Sequence, residues 1–255
     1  MTPGLAVLRN EARLAVRDPL PVVVLLAMPA VLMALLAPAL ALALASEGYV
    51  GAPGSSQAVP GMVTVFSFFV VAFVGFALFR EHGWRTWPRL RAAGLGGAGT
   101  MVGKLALPAA MLAVQHLVLF VVGSAFLDLE VAGPAVAVVA VSAAYGAVVL
   151  AAGLAAAAVL STIQQVNAVT NLGAMVLGGL GGGFVPVSTL PGWVRPVAPV
   201  SPAYWAMEGY RAVVLDGEGL AGVARPVGVL AAFAMALGWL AVRRLRLDDP
   251  KRTWG

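Results

Sequence analysis

Two histidines, His82 and His116, eleven carboxylates and no cysteine are what this chain offers for acid, base, nucleophile or metal chemistry. The histidines stand far apart with no HExxH pair, so spacing alone forms no ligand set for a metal. Without cysteine there is no disulfide, no thiolate metal site and no thiol nucleophile. Glu208, Asp216 and Glu218 are neighbouring acids, yet they lack a histidine partner and sit among Gly and Arg as a solvated edge does. An intramembrane enzyme acting through Glu208 or Asp216 is the weakest function class, and no catalytic residue is expected.

Two glycine motifs resemble nucleotide sites. GLGGAG at Gly94 to Gly99 has the letters of GxGxxG, but no strand precedes it and no acid follows at the distance a ribose contact needs. A phosphate loop ending at Gly103 and Lys104 would require Gly at 98 and Ser or Thr at 105, where the chain has Ala98 and Leu105. The chain therefore carries no nucleotide site by motif. Any uphill work must draw on another subunit or on an ion gradient.

The elements around these residues are long and apolar. Hydrophobic residues make up 61% of the chain and charged residues 11%, a composition that belongs to a polytopic membrane protein rather than to a soluble domain. The net charge of +5 comes from basic residues at the ends of apolar runs, where topology and anionic lipid explain them and nucleic acid need not. Residues 1–19, with Arg9, Arg13 and Arg17 four apart, read as a basic amphipathic helix on the inner leaflet. Leu20 to Ala45 is a first span bearing Pro21, Pro29 and Pro38; a cleavable signal peptide is disfavoured because this run is too long. Further spans are expected at about 61–79, 101–127, 134–160, 166–185 and 227–242. Prolines alternating with Trp193, Tyr204 and Trp205 over 186–226 predict short or re-entrant helices at the outer surface. With both termini cytoplasmic, inner segments hold 13 basic and 5 acidic residues and outer segments 3 and 6, so six spans agree with the charge bias.

Within the spans the polar residues are few. Gln115 and His116, Ser142 and Tyr145, and Gln164, Gln165, Asn167, Thr170 and Asn171 must face protein or a wet cavity, because unpaired polar groups are costly at depth. Gln115, His116, Asn167 and Asn171 are the candidate path-lining residues. No acid lies in the core of a span, which weighs against a proton-coupled carrier. Gly178, Gly179, Gly182 and Gly183 contain overlapping GxxxG spacings; Gly178 and Gly182 are candidates for a helix contact across a dimer.

The polar island from Arg80 to Lys104, REHGWRTWPRLRAAGLGGAGTMVGK, and the stretch from Gly181 to Gly217 carry a resemblance. The latter is similar to the G-x-F-x-P, then L-P-x-W, then P-x-x-Y-x-x-x-x-x-R-like run ending in a glycine of bacterial ABC-2 type exporter permeases, here Gly182, Phe184, Pro186, Leu190, Pro191, Trp193, Pro199, Pro202, Tyr204, Arg211 and Gly217. The island resembles the family's second-to-third-span loop at Glu81, Thr86, Trp87, Arg89, Leu90, Arg91, Gly103 and Lys104. It departs from that pattern at Gly83, Arg85 and Pro88. The resemblance implies one all-α transmembrane domain over residues 1–255: six transmembrane helices, the interfacial helix, a cytoplasmic coupling loop at 80–100 and the outer re-entrant segment at 186–226. It further implies an export role in the bacterial plasma membrane for a hydrophobic or amphipathic, drug-like or lipid-like cargo. Glu81, Thr86, Trp87, Arg89, Leu90 and Arg91 would couple to a separate ABC ATPase subunit. A second permease chain would face the first across its first and fifth spans. No cofactor is expected on this chain, with ATP and Mg held by the ATPase. A stand-alone carrier or channel is the alternative.

Overall fold

Residues 20–83 and 97–244 are described by the structure, a computed structural model, and all their regular elements are helical. They are α1 (Leu20–Ser46), α2 (Ser55–Ser67), α3 (Phe69–Gly83), α4 (Gly97–Phe126), α5 (Ala135–Val159), α6 (Ile163–Leu180), α7 (Pro202–Val214) and α8 (Ala224–Arg244). Single 3-10 turns at Val187–Thr189 and Ala198–Val200 lead into α7. The fold is an all-α polytopic membrane protein.

Among the described residues five stretches are long and apolar enough to cross a membrane: Val22–Ser46, Ser55–Arg80, Gly103–Phe126, Ala135–Val159 and Ala224–Arg244. The remaining expected span is α6, whose 18 residues reach about 27 Å. Its first half carries Gln164, Gln165, Asn167 and Asn171, which dilute its apolar character. The second span starts at Ser55, earlier than hydropathy indicated, because its polar Ser55, Ser56 and Gln57 are buried in protein. The last span starts at Ala224, inside the stretch expected to be irregular, because Pro226 sits in its first turn, where proline removes no helical bond. The basic lead at 1–19 and residues 84–96 lie outside the described residues.

The centre of the bundle is the α2–α3 pair, with every residue of α2 buried. Small residues allow this. Gly54 lies so close to α1 that a Cβ would meet the Ala37 carbonyl oxygen at 1.7 Å, and one on Gly61 would meet the Gly183 carbonyl oxygen at 2.0 Å. Such approach gains dispersion contact where no hydrophobic force acts between helices. Around this pair α1, α4, α6 and α7 pack on α2, while α4, α5 and α6 pack on α3; α8 lies along α5 and α7. Pro29, Pro38, Pro60 and Pro108 are all accommodated inside helices, as they are in lipid when neighbours shield the freed carbonyls.

Helix order and these contacts give the bundle two chemically distinct ends. One carries Glu47, Asp128, Glu130, Glu208, Asp216 and Glu218 beside three arginines. Among the described residues the other carries Arg80, Lys104, Arg243 and Arg244. At that basic end a separate apolar cluster of Val74, Leu78, Phe79, Ala157 and Val166 ties α3, α5 and α6 together, with Met101 and Leu105 of α4 packed against it.

Candidate functional site

Three places bring together residues that could act: the basic end, a polar seam beside α2, and a cap at the acidic end. At the basic end α3 leaves the buried core and runs to Gly83, and α4 begins again at Gly97. Of the expected coupling residues, Glu81 falls within α3, while Thr86, Trp87, Arg89, Leu90 and Arg91 lie outside the described residues. The helix that leads into this segment, α3, is locked at its root. Gly153 presses on Val74 and Gly75 on Val166, each so closely that a Cβ would meet the valine at 2.6 Å.

The polar seam follows the central helices. Ser67 donates to the Val63 carbonyl at 2.6 Å and pairs with His116 Nε2 at 2.8 Å. The Ser67 hydroxyl has one proton, and the carbonyl takes it. Its oxygen must therefore accept from His116 Nε2–H, leaving Nδ1 of the neutral ring as an acceptor. Tyr145 donates to the Thr64 carbonyl at 2.8 Å, and Ser142 and Tyr210 share a hydrogen bond at 2.8 Å. Gln115 is fully buried, and neither end of its amide has a hydrogen-bond partner among the described residues.

The four candidate path residues do not form one site. Gln115 and His116 are on α4, whereas Asn167 is half-buried and Asn171 exposed on α6. The exposed face of α6 continues through Val169, Leu172, Met175 and Val176, and α1 likewise exposes Val24, Met28, Val31 and Leu35. Gly178 and Gly182, the glycines offered for a dimer contact, are used within the chain. Gly178 is buried against Val65 of α2, and Gly182 adopts a φ of +85° while its carbonyl accepts from Gln57 Nε2 at 2.8 Å.

His116 also lines a cavity of about 1020 Å³ between α4 and α5. Its walls are apolar, with small Ala109, Ala113, Ala143, Gly146 and Ala147 set among bulkier Leu and Val, and with Ser124 and Ser142 as the other polar residues. Spacing had marked His116 and Ser142 as polar positions, but not their partners Ser67 and Tyr210. A lone serine in an apolar run and a tyrosine in an aromatic-rich segment gave no sign of a partner.

The cap at the acidic end was also missed. Glu47, just past α1, forms an ion pair with Arg211 of α7 and accepts from Ser188, whose own carbonyl accepts from Arg195. Arg211 also stacks over the Tyr49 ring at 5.1 Å, and the Tyr49 hydroxyl donates to Asp216 at 2.7 Å. Burial, then the Asp216 hydrogen bond and nearby negative charge, push the Tyr49 phenol up to about 12. Burial raises Glu208, with Arg225 opposing it, and burial lowers Arg211, with Asp216 opposing that. The cap joins the α1–α2 turn to the segment before α8. No cluster of His, Asp or Glu fit for a metal occurs among the described residues.

The model of the family described as ABC-2 type transporter matches residues 4–215 of this chain. No curated protein matches it.

Proposed function

The chain belongs to the ABC-2 type transporter family, and from that premise we propose that it is the permease subunit of an ATP-driven exporter in the bacterial plasma membrane. It is a multi-pass membrane protein, and its charge distribution favours placing the basic end and both termini in the cytoplasm. The whole chain then forms one transmembrane domain, with α6 as the sixth span, 1–19 as the interfacial helix and 186–226 as the outer segment. A separate ABC ATPase holds ATP and Mg and moves the coupling segment through Glu81, Thr86, Trp87, Arg89, Leu90 and Arg91.

The observation that best supports this reading is the course of the central helices. The most buried helix pair leads directly into the basic segment, and the apolar cluster at the end of α3 ties that helix to α4, α5 and α6. A force applied there reaches the middle of the bundle through packed side chains, which transmit displacement because interiors are close-packed. Two copies pair through the exposed apolar faces of α1 and α6. Asn167 and Asn171 then border a path between the copies, and Gln115 and His116 lie apart from it. The apolar bundle favours a hydrophobic or amphipathic, drug-like or lipid-like cargo.

The test is ATP-dependent export by the chain with its ATPase, comparing Leu90→Asp and Arg91→Glu with the native protein. Export should fall at least tenfold along with binding of the ATPase. Unchanged export with intact partner binding would contradict the coupling role, and gradient-driven flux by the chain alone in liposomes would replace it with a carrier.

A further inference from the structure

The cavity between α4 and α5 is separate from the path proposed between paired copies. Its α4 wall is a helical stripe from Ala109 through Ala113 and His116 to Ala125, and its α5 wall runs from Ala135 through Ala143 and Ala147 to Leu150. From Ala109 to Ala125 it extends about 24 Å, whereas the hydrocarbon of one leaflet is roughly 15 Å deep. A phospholipid tail anchored at either surface therefore leaves part of it unfilled. Its volume of about 1020 Å³ lies at the upper end of the roughly 300–1,000 Å³ of small-molecule sites. Gly146 leaves room for a Cβ on this wall, where its nearest neighbour would be Leu112 at 3.8 Å.

One buried polar group on the wall lacks a partner. His116 is 6% exposed, its Nε2 is committed to Ser67, and Nδ1 has no hydrogen-bond partner among the described residues. With the proton of the neutral ring on Nε2, Nδ1 is an acceptor, and what it lacks is a donor. Ser142, by contrast, is already satisfied by Tyr210. We propose that this cavity is a binding site for a neutral, mainly apolar molecule that carries one hydroxyl or N–H group within its length and donates it to His116 Nδ1. The apolar walls accept the body of the molecule from the bilayer, through a mouth bordered by exposed Leu117, Val121 and Val139. The imidazole selects the donor, because a hydroxyl or amide without a partner is costly at this depth.

The experiment uses the full chain in nanodiscs of phosphatidylethanolamine and phosphatidylglycerol, without ATP or ATPase, so its outcome stands apart from the coupling assignment. The photoreactive probe is 4-(hydroxymethyl)benzophenone, compared with 4-methylbenzophenone, which lacks the donor. Saturable labelling should map to α4 and α5, with the hydroxyl compound binding about tenfold tighter. His116→Phe should erase that difference while leaving the methyl compound's labelling in place. Ala143→Phe and Ala147→Phe, at exposed positions of the cavity wall, should cut labelling there at least tenfold and leave labelling of α1 unchanged. A neutral lipid alcohol that co-purifies with the native chain and is lost in Ala147→Phe would identify the bilayer as the source. Saturable labelling with no such lipid would identify a foreign drug-like molecule. Labelling that rises linearly on all lipid-facing helices, or equal affinity for the two probes in the native chain, would overturn the proposal.

Discussion

Single residues decide how closely the helices of this protein approach. Gly61 meets the backbone of Gly183 rather than a movable side chain, so an added methyl cannot be absorbed by rotamer change. Gly61→Ala should cost about 2 kcal/mol through forced separation of α2 from the turn after α6. Gly228→Ala, where a Cβ meets nothing within 4 Å, should be neutral or raise stability by about 0.5–1 kcal/mol. Thermal unfolding of the two variants in detergent separates them. Tyr49 governs a pH response. Its folded pKa of about 12 lies above the unfolded value of about 10. The stability it contributes is therefore complete below pH 10 and lost as pH rises towards 12. Unfolding midpoints between pH 8 and 12 should fall more steeply for the native chain than for Tyr49→Phe, which cannot ionise.

At the scale of elements, α6 and α7 each start at a side-chain cap. The side chain of Thr162 accepts from the Gln165 N–H at 3.2 Å, and the Gln165 side chain accepts from the Thr162 N–H at 3.3 Å. This capping box starts α6 despite its polar first turn. Thr162→Ala should cost about 1 kcal/mol and speed amide exchange over residues 163–166 several-fold, as read by hydrogen–deuterium exchange. Ser201 has a double duty: it caps α7 by accepting from Ala203 N–H and donates to the Leu177 carbonyl of α6. The Gly-, Pro- and Trp-rich stretch that resembles the family thus becomes a packed bracket between α6 and α7. Its prolines were legible as helix breakers, but the helix they lead into was less so. Pro202 reads as a breaker until Ser201 supplies the cap before it.

For the whole molecule, the question is which apolar faces meet lipid and which meet a second chain. The absence of native cysteine makes single-cysteine crosslinking clean. Leu172→Cys, on the exposed face of α6, should give a disulfide-linked dimer in membranes under mild oxidation. Met235→Cys, equally exposed on α8, should stay monomeric. The reverse pattern on denaturing gels would move the pairing face to α8. The two ends of the bundle also differ in how they are held. The acidic end is fastened by a network around Glu47 and Arg211, and the basic end by apolar packing around Val74.

Hydropathy and charge, read along the chain, determined the membrane class, most of the span positions and the segregation of basic from acidic residues, because transfer from water and the bias of Lys and Arg act on local sequence. The packing of helices against one another decided the rest. In helices apolar on every side, such as α1 and α5, no periodic stripe separates a buried face from a lipid-facing one. The burial of α2, the use of Gly178 and Gly182 inside the chain, and the separation of His116 from Asn171 are therefore written only in three dimensions. The same holds for Ser67 with His116, 49 residues apart, and for Glu47 with Arg211. Each needs a partner from a distant segment, and only close packing through small residues brings the two within reach.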